Sequence, residues 1–317
     1  MIDFRYHLVS IASIFVALAV GIVLGAGPLQ QQIGSTLTAE VTQLREDKAS
    51  LRAEVDALNA QAAAHEDFDD DALPRIVAGS LGGQIVTIVA LPGVDQGLID
   101  RTATTLQAGG ATVAHRVAVQ PTWVNAGSDA VAARQAAALA GASALGLTTD
   151  AAGAATTLNE VLAASLLGGG GAVDDPQVRR TVLDALVSAD LIDTDAAPAI
   201  TSTSVIILSA VITDGDSADR LASAQAWLAL SVAFDQRSTG TVVVSELDGE
   251  ATDADSLLGT LRSTDSARAD ISGIDNGGST IGQASVDFAL AEQVVGGAGQ
   301  YGLLGGVDAA YAPIPSS

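Results

Sequence analysis

The chain has 317 residues, enough for a stalk and one sizeable domain, and 48% of them are hydrophobic, so most of it is expected to fold. Its formal net charge is −23 with no cluster of lysine and arginine, which excludes the phosphate contacts of a nucleic-acid-binding protein. Cysteine is absent, which excludes disulfides, thiolate metal sites and cysteine nucleophiles.

An uncharged, apolar segment at 8–27 follows a short tail at 1–7. At about 1.5 Å per residue a helix of this length spans roughly 30 Å, the thickness of the hydrocarbon core of a bilayer. A cleavable signal peptide is the alternative, but its apolar core is usually only about 7–15 residues long. Cleavage after Gly27 would also place Pro28 next, which is unfavourable for a peptidase. We therefore predict a retained transmembrane helix.

Charges and small residues predict how this helix is oriented and paired. Arg5 precedes it, and the next positive residue, Arg45, lies well beyond it. The positive-inside rule places the tail in the cytoplasm and everything after the helix outside the plasma membrane. Ala17, Gly21 and Gly25 lie four residues apart on one face, a ridge that allows two helices to pair closely in lipid. The alternative is that glycine and alanine are simply common in this chain.

The segment 30–66 repeats apolar residues every seven positions. Leucine recurs at heptad position d, at Leu37, Leu44, Leu51 and Leu58. Position a holds a small or β-branched residue with one exception, in the series Val41, Lys48, Val55 and Ala62. Leucine at d with valine at a favours a parallel two-stranded coiled coil. The single charged a position, Lys48, would sacrifice stability but fix the register and the oligomeric state.

The positions that flank this seam carry complementary charges. In a parallel dimer each g residue faces the following e residue of the other chain, which pairs Glu40 with Arg45 and Asp47 with Arg52. One amphipathic helix packed on its own domain is the alternative interpretation. The charge match and the strict period of seven favour the dimer, and helices that leave the bilayer already paired would zip more readily.

The heptad pattern fails where His65 and Asp69 would occupy d and a. The acidic run 67–71 and then Pro74 mark the predicted exit from the stalk, so we assign 74–317 to an extracytoplasmic α/β domain. An apolar run at 85–91, a helical pattern at 95–108 and a second apolar run at 111–119 predict a β-α-β unit with a buried parallel strand pair.

The rest of this domain continues the alternation of strands and helices. We predict strands at 205–211, 241–245 and, as the last one, 269–274, with a final helix at 281–295. The Ala-rich region 126–200 reads as a helical insert between the two halves of the sheet. The expected fold is therefore an open Rossmann- or flavodoxin-like, mostly parallel sheet.

Ligands of open α/β sheets bind beyond the carboxyl ends of the strands. The predicted strand ends carry polar or turn-forming residues, namely Pro92, Gly93, Asp95, Glu246, Asp248, Asp275 and Asn276. The first loop lacks GxGxxG and GxxxxGK[ST], and the chain has neither G-x-S-x-G nor a histidine after His115. The acidic residues could form an acid/base pair, but solvated surface is the better interpretation in so acidic a chain. We predict that the domain is not an enzyme and has no cofactor.

Metal ligands are also sparse. The histidines His7, His65 and His115 are far apart in sequence, and Met1 is the only methionine. Because Cu(I) prefers cysteine and methionine, and scattered aspartates hold hard cations only weakly, the residues signal no metal site.

Four stretches of the sequence resemble one family. They are MIDFRYHLVSIASIFVALAVGIVLGAG, SLGGQIVTIVALPG, DDPQVRRTVLDAL and ADISGIDNGGSTIGQASVDFALAEQVVGGAGQYG. They are similar to the actinobacterial MctB (mycobacterial copper transport protein B) family, which includes SteB-like cell-separation proteins. The resemblance spans nearly the whole chain. It implies a single-pass envelope protein with a coiled coil, a Rossmann-like domain and a role in copper homeostasis or export.

One departure concerns a metal ligand. The family resemblance leads us to expect Gly-His-Tyr-Gly near the end, whereas this chain has Gly299-Gln300-Tyr301-Gly302. Two functions follow as hypotheses. The first is a scaffold that dimerises through its stalk and binds an envelope or cell-separation protein through the coil. The second is copper binding or export, with copper implied by the resemblance only. A ligand-sensing, enzyme-like domain is a weaker third.

Overall fold

The structure is a computed structural model. It describes residues 4–125, 127–148, 154–169, 171–194, 200–246 and 253–315, and the side chains within these ranges except those of 26–39, 154–156 and 171–172. The chain divides into two compact units, Met1–Asp67 and Phe68–Ser317.

The long helix α1, Phe4–Ile76, contains 73 residues. Its part within the first unit holds the apolar N-terminal segment and the heptad region. Its last turns belong to the second unit, where Leu73 is buried and the next residue, Val77, is buried as well. Pro74 removes one intrahelical hydrogen bond without stopping the helix at once, and α1 ends two residues later.

The second unit is built on a seven-stranded sheet in the described part of the chain, with the order β3-β2-β1-β4-β5-β6-β7. The strands are β1 Ile85–Ala90, β2 Thr112–Val119, β3 Ile192–Thr194, β4 Ser204–Ser209, β5 Thr241–Ser245, β6 Ser272–Ile274 and β7 Gln300–Tyr301. Only the β2–β3 pair is antiparallel, so the sheet is mostly parallel. The fold class predicted from the alternating pattern is confirmed as a mixed α/β unit.

Helices connect these strands. They are α2 Gln96–Ala108, α3 Ser128–Leu145, α4 Ala154–Leu167, α5 Pro176–Ser188, α6 Ser217–Asp235, α7 Leu257–Ser263, α8 Asp265–Asp270 and α9 Thr280–Val294. Two short 3₁₀ helices, Pro121–Trp123 and Gly171–Asp174, lie in the connections around α3 and α5.

The core lies on both faces of the sheet. Alternate residues of β4 point to opposite sides, since Val205 and Ile207 belong to one apolar cluster and Ile206 and Leu208 to the other. Residues of α3 to α7 complete the first cluster, while α2, α9 and the end of α1 complete the second. A parallel sheet covered on both faces explains why its strands are continuous apolar runs rather than alternating ones.

Two details of the sequence prediction differ from the structure. The predicted last strand, 269–274, is wrong at its start and is not the last strand, since Ala269 and Asp270 end α8 and β7 follows α9. Within 126–200 lies the three-residue edge strand β3 besides the helices α3, α4 and α5. Strands of two or three residues carry no alternation long enough to be read from sequence.

Gly282, in the first turn of α9, touches the backbone at the end of β6. A Cβ atom there would lie 1.8 Å from the carbonyl oxygen of Asn276, so the substitution Gly282→Ala forces backbone to move. We expect it to lower the free energy of unfolding by about 3 kcal/mol. The measurement is urea denaturation of the full chain in detergent, followed by the fluorescence of the buried Trp123 and Trp227. Gly305→Ala, whose Cβ would meet open space, is the control and should stay within about 0.5 kcal/mol of wild type.

Candidate functional site

The strand order reverses between β1 and β4, the point at which open α/β sheets bind ligands. The two loops that leave these strands meet there. The Leu91 amide donates to the Leu208 carbonyl at 2.9 Å, and a Cβ on Gly93 would lie 3.3 Å from the Cβ of Ala210. Gly93 has a φ of +89°, which favours glycine in so tight a turn. At this edge the two loops meet through one backbone hydrogen bond and a close contact of Gly93 with the side chain of Ala210.

A polar cavity of about 260 Å³ lies beside the carboxyl end of β4, between the β4–α6 loop and the segment before α7. On its wall Arg220 pairs with Asp255 at 2.7 Å, and the Ser217 hydroxyl donates to the same carboxylate at 3.0 Å. The hydrogen bond from Ser217, supported by Arg220, lowers the pKa of Asp255 against a weaker opposing effect of burial. Asp255 is therefore held ionised and is not poised as a general acid.

The strand-end residues predicted from the sequence do not form one cluster among the described residues. Asp95 caps α2, accepting from the Gly97 amide at 2.7 Å, and Glu246 is exposed near Gly278. Asp248 lies outside the described residues. Only Asp275 and Asn276, which follow β6, are buried.

Asp275 ties together the end of the sheet and the segment after β7. Its carboxylate lies 3.0 Å from the Arg262 guanidinium and accepts the backbone amides of Leu303 at 2.7 Å and Leu304 at 3.1 Å. Both members of the ion pair are almost fully buried, and Arg262 also donates to the carbonyl of Gly305. Burial lowers the pKa of Arg262, while Asp275 opposes that shift. The contacts of Asp275 are those of a structural residue.

Gln300 stands where the family resemblance led us to expect a histidine. It lies on β7, is fully buried, and its side-chain amide donates to the Ile271 carbonyl at 2.9 Å. The neighbouring Tyr301 hydroxyl donates to the Glu292 carboxylate. Burial and the Glu292 contact raise the pKa of Tyr301. Position 300 thus faces the protein interior at the edge of the sheet rather than an open cleft.

The histidines show no sign of a shared site in the described residues. His115 is buried in β2 with Nε2 2.7 Å from the Ile200 carbonyl, and His7 and His65 are exposed on α1. Across the described ranges no group of three or more histidine, aspartate or glutamate residues could hold a metal ion.

The first unit presents the heptad residues on an unburied helix. The apolar side chains of the predicted seam are 42–68% exposed at Val41, Leu44, Leu51, Val55 and Leu58. The side chain of Leu37 lies outside those described, and Lys48 is exposed. The charged residues of the flanking positions, Glu40, Arg45, Asp47 and Arg52, are exposed as well. In this single chain the seam therefore has no partner surface among the described residues.

The start of α1 has the length and composition of a membrane span. Phe4–Gly25 is a 22-residue helical stretch with a mean hydropathy of 2.6 and no buried side chain. Ala17, Gly21 and Gly25 lie on it, and Cβ atoms on the two glycines would meet nothing within 4 Å. The helix suggests a single-pass membrane anchor.

The buried ion pair yields a stability prediction. Asp275→Ala should lower the free energy of unfolding by about 3–5 kcal/mol, because it leaves Arg262 buried without its counter-charge. Urea denaturation of the full chain in detergent measures this. The control is Asp100→Ala, which breaks the largely exposed pair with Arg116 and should cost about 0–1 kcal/mol. Similar losses in both variants would contradict the structural role given to Asp275.

Comparison with known proteins identifies the family. A family model described as "Copper transport outer membrane protein, MctB" matches residues 1–312. Copper transporter MctB of Mycobacterium tuberculosis is 36% identical over 115 residues, which are 36% of this chain and 37% of that protein. Copper transporter MctB of Mycobacterium leprae is 33% identical over 129 residues, 40% of each chain. These pairwise alignments span less than half of either relative, whereas the family model spans nearly all of this chain, which therefore belongs to the MctB family.

Proposed function

We propose that this protein is a scaffold of the cell envelope that is anchored in the plasma membrane by α1 and dimerises in parallel through its stalk. The tail before the anchor lies in the cytoplasm, and the α/β domain, of Rossmann type, lies outside. The domain binds partners rather than catalysing a reaction. The coiled coil recruits an envelope or cell-separation protein as well as its own copy, since exposed helices bind other helices.

The observation that carries this proposal is the exposed apolar seam of the stalk. Five leucine and valine side chains spaced in heptads lie largely in solvent in the single chain. Burying each one in a dimer would contribute about 1.5–3 kcal/mol, against an association cost of several kcal/mol. Leucine at d and valine at a favour a parallel two-stranded coil over higher oligomers.

Charge complementarity supports the parallel arrangement. In register, Glu40 of one protomer faces Arg45 of its partner, and Asp47 faces Arg52. Exposed pairs of this kind contribute only about 0–1 kcal/mol each, so they favour orientation and register more than stability. Lys48 at an a position acts in the same direction by disfavouring other oligomers.

The membrane segment supports the same pairing. Ala17, Gly21 and Gly25 offer a small-residue ridge on which two anchors can approach closely in lipid. Anchors held together in the bilayer raise the local concentration of the two stalks, which favours zipping of the coil.

The contacts of the strand-end acids support a non-catalytic domain. Asp95 caps a helix, and Asp255 is held ionised by Ser217 and Arg220. Asp275 forms an ion pair with Arg262 and accepts hydrogen bonds from two backbone amides. None of these described carboxylates combines an open cleft with a free acid or base.

Copper transport is the second candidate, favoured by the family and by the printed names of the relatives. Here copper would be the cargo. The donor set fits it poorly, because the chain lacks cysteine and the described residues form no three-donor group of acids and histidines. One transmembrane helix per chain also encloses no pore without a higher oligomer. We therefore assign any role in copper homeostasis to partners that the scaffold recruits.

Disulfide cross-linking tests the dimer. Because the chain has no cysteine, Leu44→Cys places a single thiol at a d position. In membranes, mild oxidation should convert most of this variant into a homodimer on a non-reducing gel, since facing d residues lie within disulfide distance in a parallel, in-register coil.

The matched control is Ser50→Cys, six residues further on at the outward c position, which should cross-link weakly. Equal cross-linking at both positions would indicate collision rather than a seam. No cross-linking of Leu44→Cys would overturn the parallel, in-register stalk.

Copper titration separates the two candidate functions. Full chain in lipid nanodiscs, titrated with Cu(I) and with Cu(II) in a calorimeter, should show no site tighter than about 1 μM, which corresponds to about −8 kcal/mol. Empty nanodiscs provide the blank. A stoichiometric site of nanomolar affinity would instead establish direct copper binding and displace the scaffold proposal.

A further inference from the structure

The last turns of α1 are docked on α9 within the second unit. The Thr280 hydroxyl, at the start of α9, donates to the Asp70 carboxylate at 2.5 Å. Leu73 and Val77 share an apolar cluster with Val286 and with other residues of α9. Residues 77–83, here called the entry turn, then lead from α1 into β1. The entry turn makes a buried polar contact with α9 as well, between Ser80 and Asp287.

Asp287 lies two helical turns beyond Thr280 on the same helix and is fully buried. One carboxyl oxygen, Oδ2, contacts the Ser80 hydroxyl of the entry turn, and the other has no hydrogen-bond partner among the described residues. The carboxyl group rests against the end of α2, because a Cβ on Gly109 would lie 2.3 Å from Oδ1. The entry turn meets the same point, since the Leu81 amide donates to the Gly109 carbonyl at 2.9 Å.

The hydrogen-bonding partners of Ser80 favour a proton on Asp287. The Ser80 oxygen lies within hydrogen-bond distance of two acceptors, the Val77 carbonyl at 2.6 Å and the Asp287 carboxyl group. A hydroxyl has one hydrogen and can donate to only one of them. Both contacts are satisfied when the carboxylic acid donates to Ser80 and Ser80 donates to Val77. An ionised carboxylate would leave one contact as a repulsion between lone pairs.

The electrostatic surroundings agree with a neutral acid. The charged residues of the elements packed around Asp287 are Asp69, Asp70, Asp71 and Arg75 at the end of α1, Asp100 and Arg101 on α2, and Glu292 on α9 itself. Asp70, Asp100, Arg101 and Glu292 have partners elsewhere, in Thr280, Arg116, Gly278 and Tyr301. The strands β5 and β6 and the entry turn carry no charge. The carbonyl end of α2 further disfavours a negative charge beside Gly109.

We propose that Asp287 is a proton-controlled latch, which in its protonated form holds the entry turn and the docked end of α1 against α9 and on losing its proton releases them. The latch joins three elements that are distant in sequence, since Ser80 and Asp287 are 207 residues apart. It is a conformational device that acts independently of the scaffold or copper role.

The direction of the pH response follows from the two states of the carboxyl group. Burial raises the pKa of Asp287 to about 7, and donation from Ser80 to the ionised carboxylate, at the expense of its bond to Val77, opposes part of that shift. The ordinary aspartate pKa, near 4, applies once the latch is open. Between these two values the closed state binds more protons than the open one, so closure weakens as the pH rises. The latch is thus closed at pH 5 and largely lost at pH 8.

Hydrogen exchange of the entry turn tests the latch. The full chain in nanodiscs is labelled at pH 5 and at pH 8, and exchange of the Leu81 and Gln84 amides is normalised to the intrinsic rate at each pH. In wild type the protection factors of these two amides should be roughly 10- to 100-fold lower at pH 8 than at pH 5. Asp287→Asn carries a neutral amide in place of the acid and should keep nearly the same protection at both.

The control variant is Asp100→Asn, which removes an exposed acid from α2 and should respond to pH as wild type does. Equal protection of wild type at pH 5 and pH 8 would overturn the latch without reference to any variant. So would an Asp287→Asn protein that loses protection with pH as steeply as wild type. An Asp287→Asn protein that does not fold at pH 5 also counts against it, because the amide has nearly the shape of the protonated acid.

Discussion

A mostly parallel sheet must be covered on both faces, and this requirement determines where the helices of the chain pack. In the second unit α3 to α7 cover one face, and α2 and α9 cover most of the other. The remainder of that second face is filled by the end of α1, through Leu73, and by Val77 just after it. One helix therefore contributes its first turns to the apolar anchor segment and its last turns to the core of the α/β unit.

Acidic residues are abundant in this chain, and the few that are buried have specific structural contacts. Asp275 is neutralised by Arg262 and by backbone amides, whereas Asp287 has only a serine hydroxyl. Burial of a charge is costly unless it is paired, so Asp275 forms an ion pair, whereas the proposed latch keeps Asp287 as a neutral acid. Neither lies in the open polar cavity beside β4. The contacts of these two buried acids thus stabilise the fold, which agrees with the proposed non-catalytic role of the domain.

The sequence predicted the long elements and missed the short ones for a physical reason. The apolar runs that became β1, β2, β4 and β5 are continuous because both faces of the sheet are covered, whereas β3 and β7 are too short to show a pattern. Asp275 was recognisable as a strand-end acid, but its partner Arg262 lies on a helix and carries no local signal. The contact of Ser80 with Asp287 depends on packing between distant segments. The partner of the stalk seam requires a second chain, so the parallel dimer stays a prediction.

The hydrogen bond between Asp70 and Thr280 joins residues that are 210 positions apart. During synthesis the end of α1 is made early, whereas α9, on which it docks, is nearly the last element to emerge. Until then the part of the sheet that α9 covers is exposed, together with its apolar strand residues. Contacts between such distant residues slow folding and leave intermediates prone to aggregation. The domain can therefore close only after almost the whole chain has been made, and a truncation that removes α9 would leave the partly formed sheet dependent on chaperones.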